Sequence, residues 1–275
     1  MKAFVCSDLH YDCWKRYYST AKEFVNGTTD RPAMLADADV FLCAGDLANR
    51  YCDWCELVVA LSYKYKKVVL VPGNHDLCVD WGDKEVFKTS ERKLECYKQF
   101  LKFYPNVHLL DGDCITINGK KIAGCMGFWD TSFLEKQLPN KKHEADHKWD
   151  LTFDALHWNY FYNNLDVIKQ VENTKLENAL SKKPDIMMTH FCPLLPIDAM
   201  KEIYRRSFFS TYFYFDKAKT KNVPLWIAGH THSKYMNGRI MVNPLGYIEE
   251  NLNIAFYPNL DMLFDSKKDD CFIEL

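Results

Sequence analysis

Asp8-Leu9-His10, Gly45-Asp46, Gly73-Asn74-His75-Asp76, His190 and Gly229-His230-Thr231-His232 are short clusters of carboxylate, imidazole and carboxamide side chains. Hard and borderline divalent cations take these donors. Two such ions about 3.5–4 Å apart need a shared ligand, and a carboxylate can bridge them. Asp46, a lone carboxylate after Gly45, is the natural bridge. Asp8 and His10 stand two apart, and on an extended segment that spacing points both the same way, toward one ion. His230 and His232 repeat the spacing and could serve different ions. Asn74 adds a neutral carbonyl oxygen. Gly45, Gly73 and Gly229 let the backbone turn sharply beside the ions. The chemistry expected is that of a two-metal centre.

Each cluster follows a short apolar run. These are Ala3 to Cys6, Val40 to Ala44, Val68 to Val71, Asp185 to Met188 and Leu225 to Ala228. An α/β fold presents residues this way at the carboxyl ends of adjacent strands. Helices are expected over 14–25, 51–65 and 84–103, the last stopped by Pro105. Asn118-Gly119 predicts a hairpin between 113–117 and 121–127, and Asn237-Gly238 a second between 233–236 and 239–242. Two sheets packed face to face with helices outside satisfy both halves of the pattern. Residues 131–183 are charged and rich in Asn and Lys, and are expected as an inserted, partly helical segment (Leu151 to Leu180). With no internal repeat or low-complexity linker, residues 1–275 read as one domain.

Taken together, Asp8-x-His10, Gly45-Asp46, Gly73-Asn74-His75-Asp76, His190 and Gly229-His230-x-His232 resemble the signature of the calcineurin-like metallophosphoesterase family. Order and spacing agree from residue 8 to residue 232. The run Val242-Asn243-Pro244-Leu245-Gly246-Tyr247 also resembles a less characterised bacterial branch of that family. The resemblance implies a four-layer α/β/β/α sandwich of two mixed sheets flanked by helices. It implies one divalent ion on Asp8, His10, Asp46 and His232, and another on Asp46, Asn74, His190 and His230. The ions would be Mn, Fe, Zn or Ni. A hydroxide bridging them would attack the phosphorus of a phosphomonoester or phosphodiester, and His75 would stand near the leaving group as general acid or charge stabiliser.

One position departs from the pattern. Many members carry Asp three residues after the bridging carboxylate, where it orients the catalytic histidine. Here that position is Asn49, which accepts a hydrogen bond but brings no charge, so His75 is expected to be held less strongly as imidazolium. Asp76 is the candidate to compensate. Arg50 follows, and in the protein-phosphatase branch an Arg there binds phosphate, although Tyr51 replaces the usual Gly.

Bulk properties bound the remaining readings. Hydrophobic residues make up 48% and charged residues 26%, which supports a filled core and excludes a disordered chain. The 35 basic and 37 acidic residues nearly cancel, so no global field points to nucleic acid. No apolar stretch reaches the roughly 20 residues that span a bilayer, and the first apolar run reads as a strand rather than a signal peptide. Eleven cysteines, several inside expected strands, suggest reduced thiols and a cytoplasmic protein. His143-Glu144-Ala145-Asp146-His147 matches the zinc-protease pattern, but its charged surroundings predict a solvated segment instead. Cys52 and Cys55 have a redox or zinc spacing without a second pair, and are expected as two thiols on a helix. The aromatic run 204–215, with Arg205 and Arg206, is expected to pack or associate; stacking on single-stranded nucleic acid as a nuclease is the alternative. A non-catalytic interaction protein keeping the fold is a further alternative. Substrate choice is expected in the loops 11–36, 131–183 and 193–222.

Overall fold

Alternate residues of the apolar runs face opposite ways, and this divides the core between layers. The computed structural model describes residues 1–80, 82–251 and 271–275. Its strands are β1 (Lys2–Cys6), β2 (Val40–Cys43), β3 (Lys67–Leu70), β4 (Val107–Leu109), β5 (Asp113–Ile117), β6 (Lys120–Cys125) and β7 (Ile186–Thr189). Then follow β8 (Cys192–Pro193), β9 (Tyr214–Phe215), β10 (Leu225–Ala228), β11 (Tyr235–Met236), β12 (Ile240–Val242) and β13 (Phe272–Glu274). One sheet runs β13-β1-β2-β3-β4, parallel except for β13. The other runs β11-β12-β10-β7-β6-β5, parallel in its centre with antiparallel edges. β8 and β9 form a small separate pair.

The helices among the described residues are α1 (Tyr11–Trp14), α2 (Ala21–Asn26), α3 (Tyr51–Lys64), α4 (Asp83–Phe87), α5 (Ser90–Leu101), α6 (Ser132–Gln137), α7 (Ala145–Lys148), α8 (Phe153–His157), α9 (Leu165–Ser181), α10 (Glu202–Arg205) and α11 (Ile248–Asn251). Val5, Leu42 and Val69 of the first sheet meet Ile122, Met188 and Ile227 of the second in a purely apolar layer. Their neighbours Phe4, Phe41 and Val68 face outward, where α3 covers them with Trp54, Leu57 and Leu61. On the far side α9 lies on β6 and buries Ile168, Leu176 and Ala179. The expected two mixed sheets flanked by helices are therefore present.

Local chemistry accounts for where the expected elements hold or break. At the first hairpin Asn118 and Gly119 both take positive φ, 47° and 79°, as a tight two-residue turn demands. The second hairpin forms as β11 and β12. The helix expected over 84–103 is two helices. Lys88 turns left-handed (φ 66°) and Thr89 caps α5 by accepting from the Arg92 amide at 3.2 Å. The helix expected over 14–25 is likewise split, with Thr20 capping α2 and Glu23 reaching back to the Ser19 amide. In both places a Ser-Thr or Thr-Ser pair competes with helix continuation and wins.

Residues 131–183 are largely helical, as expected, but they are no solvated appendage. Phe133, Leu134, Trp149, Trp158 and Tyr160 are buried. The aromatic run packs against them: Tyr214 stacks on Phe133 with centroids 5.9 Å apart, and Tyr212 meets Trp129 edge-on at 4.8 Å. The packing expectation for 204–215 is met for Phe208, Tyr212, Tyr214 and Phe215, which are buried, while Phe209 stays exposed. His143 and His147 are exposed, and Cys52 and Cys55 are free thiols on α3.

The inserted segment is pinned to the second sheet by ions. Lys175 lies 2.8 Å from both Asp111 and Glu172, and Glu172, 1% exposed, also accepts from the Tyr160 hydroxyl at 2.6 Å. Lys175→Met strands the Glu172 carboxylate and is expected to cost about 3–5 kcal/mol. Burial already holds that carboxyl above its usual value of 4.5, against the pull of Lys175. Without Lys175 the folded variant keeps a proton that the unfolded chain has released. Its stability therefore falls as pH rises, and urea unfolding should show a larger deficit at about pH 8 than at about pH 5. Equal deficits at both would refute this account.

Candidate metal centre

The five clusters sit just beyond the carboxyl ends of β1, β2, β3, β7 and β10, so both sheets aim them at one place. The expected extended geometry is not what brings them together. Asp8 (φ 53°), His10 (42°), Asp46 (58°), His230 (68°) and His232 (47°) are all left-handed. Each such residue costs on the order of 1 kcal/mol, and such strain gathers at functional sites. Loop-to-loop bonds hold them there: Asp8 N–H to Gly45 O at 3.0 Å, His10 N–H to Asp46 O at 3.0 Å, and Gly246 N–H to Asp8 O at 2.9 Å. Gly73 is required by space, because a Cβ there would collide with the Asp46 carboxylate and backbone nitrogen.

Most of the buried ligand candidates are bound at their outer ends, which fixes the atom each turns inward. His190 Nδ1 lies 2.8 Å from the Ala44 carbonyl, which only accepts, so Nδ1 carries the ring proton. Nε2 is then the atom that faces inward, 2.7 Å from Asn74 Oδ1 and 3.2 Å from Asp46 Oδ2. Asn74 gives its amide nitrogen to Asp154 at 2.7 Å, so its oxygen is the atom that faces inward. Across Asp46, His232 Nδ1 is bound by Glu250 at 2.6 Å, and its Nε2 faces Asp8 at 3.3 Å and His10 Nε2 at 3.1 Å. His230 uses Nε2 on the Tyr212 carbonyl at 3.3 Å, which leaves Nδ1 as its lone pair. Asp46 Oδ2 lies between the halves, 3.7 Å from His10 Nε2. Acceptor atoms crowded in this way need positive charge between them, a proton or a metal cation, and oxygen with imidazole nitrogen is the donor set of borderline divalent ions.

The electrostatics agree. Burial opposes charge on His190 and His232, yet Asp46 lifts the first to about 9 and Asp8 lifts the second to about 10. A proton takes the place that a bound ion would fill. Burial would also raise Asp8 and Asp46, but His232 and His190 hold both below the usual carboxylate range. His75 and His230 are pushed down by burial, to about 4 and about 3, and stay neutral.

The remaining expected residues separate. His75 is at the centre: its amide donates to Asp46 Oδ1 at 2.9 Å and its Nδ1 meets Asn49 Oδ1 at 2.6 Å. Asp76 does not compensate for Asn49. It accepts from the amides of Asp46, Leu47, Ala48 and Gly73 and so ties two ligand loops together, while burial and Asp46 push its carboxyl up to about 7. Arg50 stands at the N-cap position of α3, makes no side-chain capping bond and is exposed.

Several contributors had no sequence signal of their own. Asp154 and Trp158 come from the inserted segment, and Trp158 donates to the Asn74 carbonyl at 2.8 Å. His157, given no role from the sequence, pairs with Asp80, and its carbonyl accepts from the Val79 amide at 3.0 Å. Tyr247 ends the 242–247 run and Glu250 follows it; the run pairs with the end of β1 through Ser7 and Leu245. Tyr247 stacks on His10 with centroids 4.3 Å apart, and its hydroxyl lies 3.2 Å from His75 Nε2.

Asp154 fixes which end of the Asn74 amide faces the centre. Asp154→Ala is expected to weaken divalent-cation binding by about 10–100-fold, a usual loss when a supporting partner is removed. Competition against a chromogenic chelator measures it, and unchanged affinity would exclude the role.

The profile of calcineurin-like phosphoesterases matches residues 1–234. No curated protein matches the chain by sequence. Among solved structures, phosphopantetheinyl hydrolase (PptH) from Mycobacterium tuberculosis is similar with a TM-score of 0.65 and 17% identity, over 90% of this chain and 89% of that one. TT1561 of Thermus thermophilus has a TM-score of 0.51 and 15% identity, over 91% of each chain. At these identities the likeness is one of fold. The chain belongs to the calcineurin-like phosphoesterase family and is a metal-dependent hydrolase of phosphoric esters.

Proposed function

We propose that the protein hydrolyses a phosphomonoester or phosphodiester at a dinuclear centre. One divalent ion would be held by Asp8, His10, Asp46 and His232, and the other by Asp46, Asn74, His190 and His230. The observation that carries this reading is the convergence of inward-facing oxygens and ring nitrogens on both sides of Asp46, where His190 Nε2 meets Asn74 and His232 Nε2 meets Asp8. Bound there, the ion pair would supply a water acidified toward neutrality and positive charge for the phosphoryl oxygens. Mn, Fe, Zn and Ni all suit the donor set.

The chain's own groups supply the rest. Asp46 binds the His75 amide and so fixes the ring's distance from the bridge. Phe153 stacks on that ring at 4.2 Å and closes its other face. We assign His75 to the side of the leaving oxygen, where burial lowers its basicity and it stands as a neutral imidazole rather than a cation. The supporting bonds from Asp154 and Glu250 orient their ligands before any ion arrives, which lowers the reorganisation needed on binding. Eleven cysteines, several of them buried as thiols inside strands, fit a reducing compartment, and we place the protein in the cytoplasm on that ground.

The purified protein should turn over an aryl phosphate mono- or diester when Mn²⁺ is added. Asp46→Asn, which removes the bridging charge, is expected to lower kcat by about 10³-fold or more. Elemental analysis should find two ions per wild-type chain and fewer in the variant. A wild-type rate in Asp46→Asn would sink the assignment. A panel of mono- and diesters, with a phosphopantetheinyl ester among them, then separates the two substrate classes.

A further inference from the structure

A line of hydrogen bonds passes through His75 and ends on two residues so far without a role in the reaction. At one end Asp12, in the first turn of α1, accepts from the Asn49 backbone amide at 3.3 Å and from Asn49 Nδ2 at 3.0 Å. Asn49 Oδ1 then meets His75 Nδ1 at 2.6 Å. At the other end His75 Nε2 lies 3.2 Å from the Tyr247 hydroxyl. The polarity of the line follows from its first member. An ionised carboxylate only accepts, so Asn49 must turn its NH₂ toward Asp12 and its oxygen toward His75. His75 Nδ1 must then carry the ring proton, and Nε2 is left to accept from Tyr247. Rings on both sides restrict other poses: Phe153 stacks on His75 with an interplanar angle of 21°, and Tyr247 stacks on His10 at 28°.

We infer that Asp12 is a positioning residue that acts on His75 through Asn49, and that Tyr247 completes the clamp from the opposite ring nitrogen. The carboxylate missing at position 49 is thus present one side chain further out. Asn49 transmits its direction, though not its full charge, because an amide dipole relays orientation where a carboxylate would add Coulomb attraction. For its effect on rate the inference rests on the phosphoesterase reading; the hydrogen-bond line itself does not.

The decisive variant is Asp12→Asn. An amide at position 12 offers oxygen or nitrogen equally, so Asn49 is free to turn over and present its NH₂ to His75. That selects the other tautomer and unseats the Tyr247 bond. In Asp12→Asn, kcat on an aryl phosphate ester should fall about 10–100-fold with KM within about twofold, and the content of bound ions should not change. Adding Asn49→Asp restores a carboxylate directly behind His75, and the double variant should recover most of the lost rate. A merely structural Asp12 would not be rescued by a charge at position 49. Nitrogen-15 NMR of the zinc-loaded protein, with His75 assigned by comparison with His75→Gln, should show the proton on Nδ1 in the wild type and a mixture in Asp12→Asn. An Nε2-protonated His75 in the wild type overturns the line, as does a full rate in Asp12→Asn or no rescue in the double variant. Absence of turnover in the wild type would overturn the phosphoesterase reading, while the tautomer measurement still decides the line.

Discussion

The buried Asp46 carboxylate is the constraint around which the rest is arranged. It is 1% exposed and remains ionised. An uncompensated charge in that position would be very costly, so the surrounding chain must supply partners. It does so from both sheets. One oxygen takes the His75 amide, and the other faces His190 and His10. The Asp46 backbone is used as well, through Asp76 and His10. A single side chain therefore couples the loops after β1, β2, β3 and β7, and the left-handed residues after β1 and β2 are the strain accepted to bring them so close.

Around that charge lies a layer of groups whose work is directional. Asp154, Glu250, the Ala44 carbonyl and the Tyr212 carbonyl each bind the outer end of a candidate ligand and so decide which atom faces inward. A ring or amide held at one end has only one way to present the other. His10 differs, since its Nδ1 is buried without a hydrogen-bond partner among the described residues, and packing against Tyr247 orients it instead. The segment 131–183 belongs to this layer. Its Lys175 anchor on the second sheet and its Asp80–His157 clasp hold α8 where Asp154 and Trp158 reach Asn74. A segment that reads as peripheral in composition is thus part of the centre's support.

Much of the fold is legible in the sequence. The apolar runs forecast β1, β2, β3, β7 and β10, because burial on both faces leaves a continuous hydrophobic signature. Asn118-Gly119 forecast a turn, because few other pairs accept positive φ twice. Helix boundaries were less legible: Thr20 and Thr89 cap new helices in the middle of segments that read as continuous. Spacing led to the right partners for Asp8 and His10 by the wrong geometry, since a turn of left-handed residues rather than a pleat brings them together.

The sequence by itself determined the donors, their order and the strands that carry them, since these depend on residue type and on local periodicity. It also marked Asn49 as the position where a carboxylate was missing. Only the tertiary structure decided what stands behind each donor. Asp12 lies 37 residues from Asn49, Asp154 lies 80 from Asn74 and Tyr247 lies 172 from His75. No local pattern links such pairs; the packing of α1, α8 and the 242–247 run against the strand ends creates them. Orientation of a ring or an amide is a property of what it touches, and that is fixed only when distant segments are folded together.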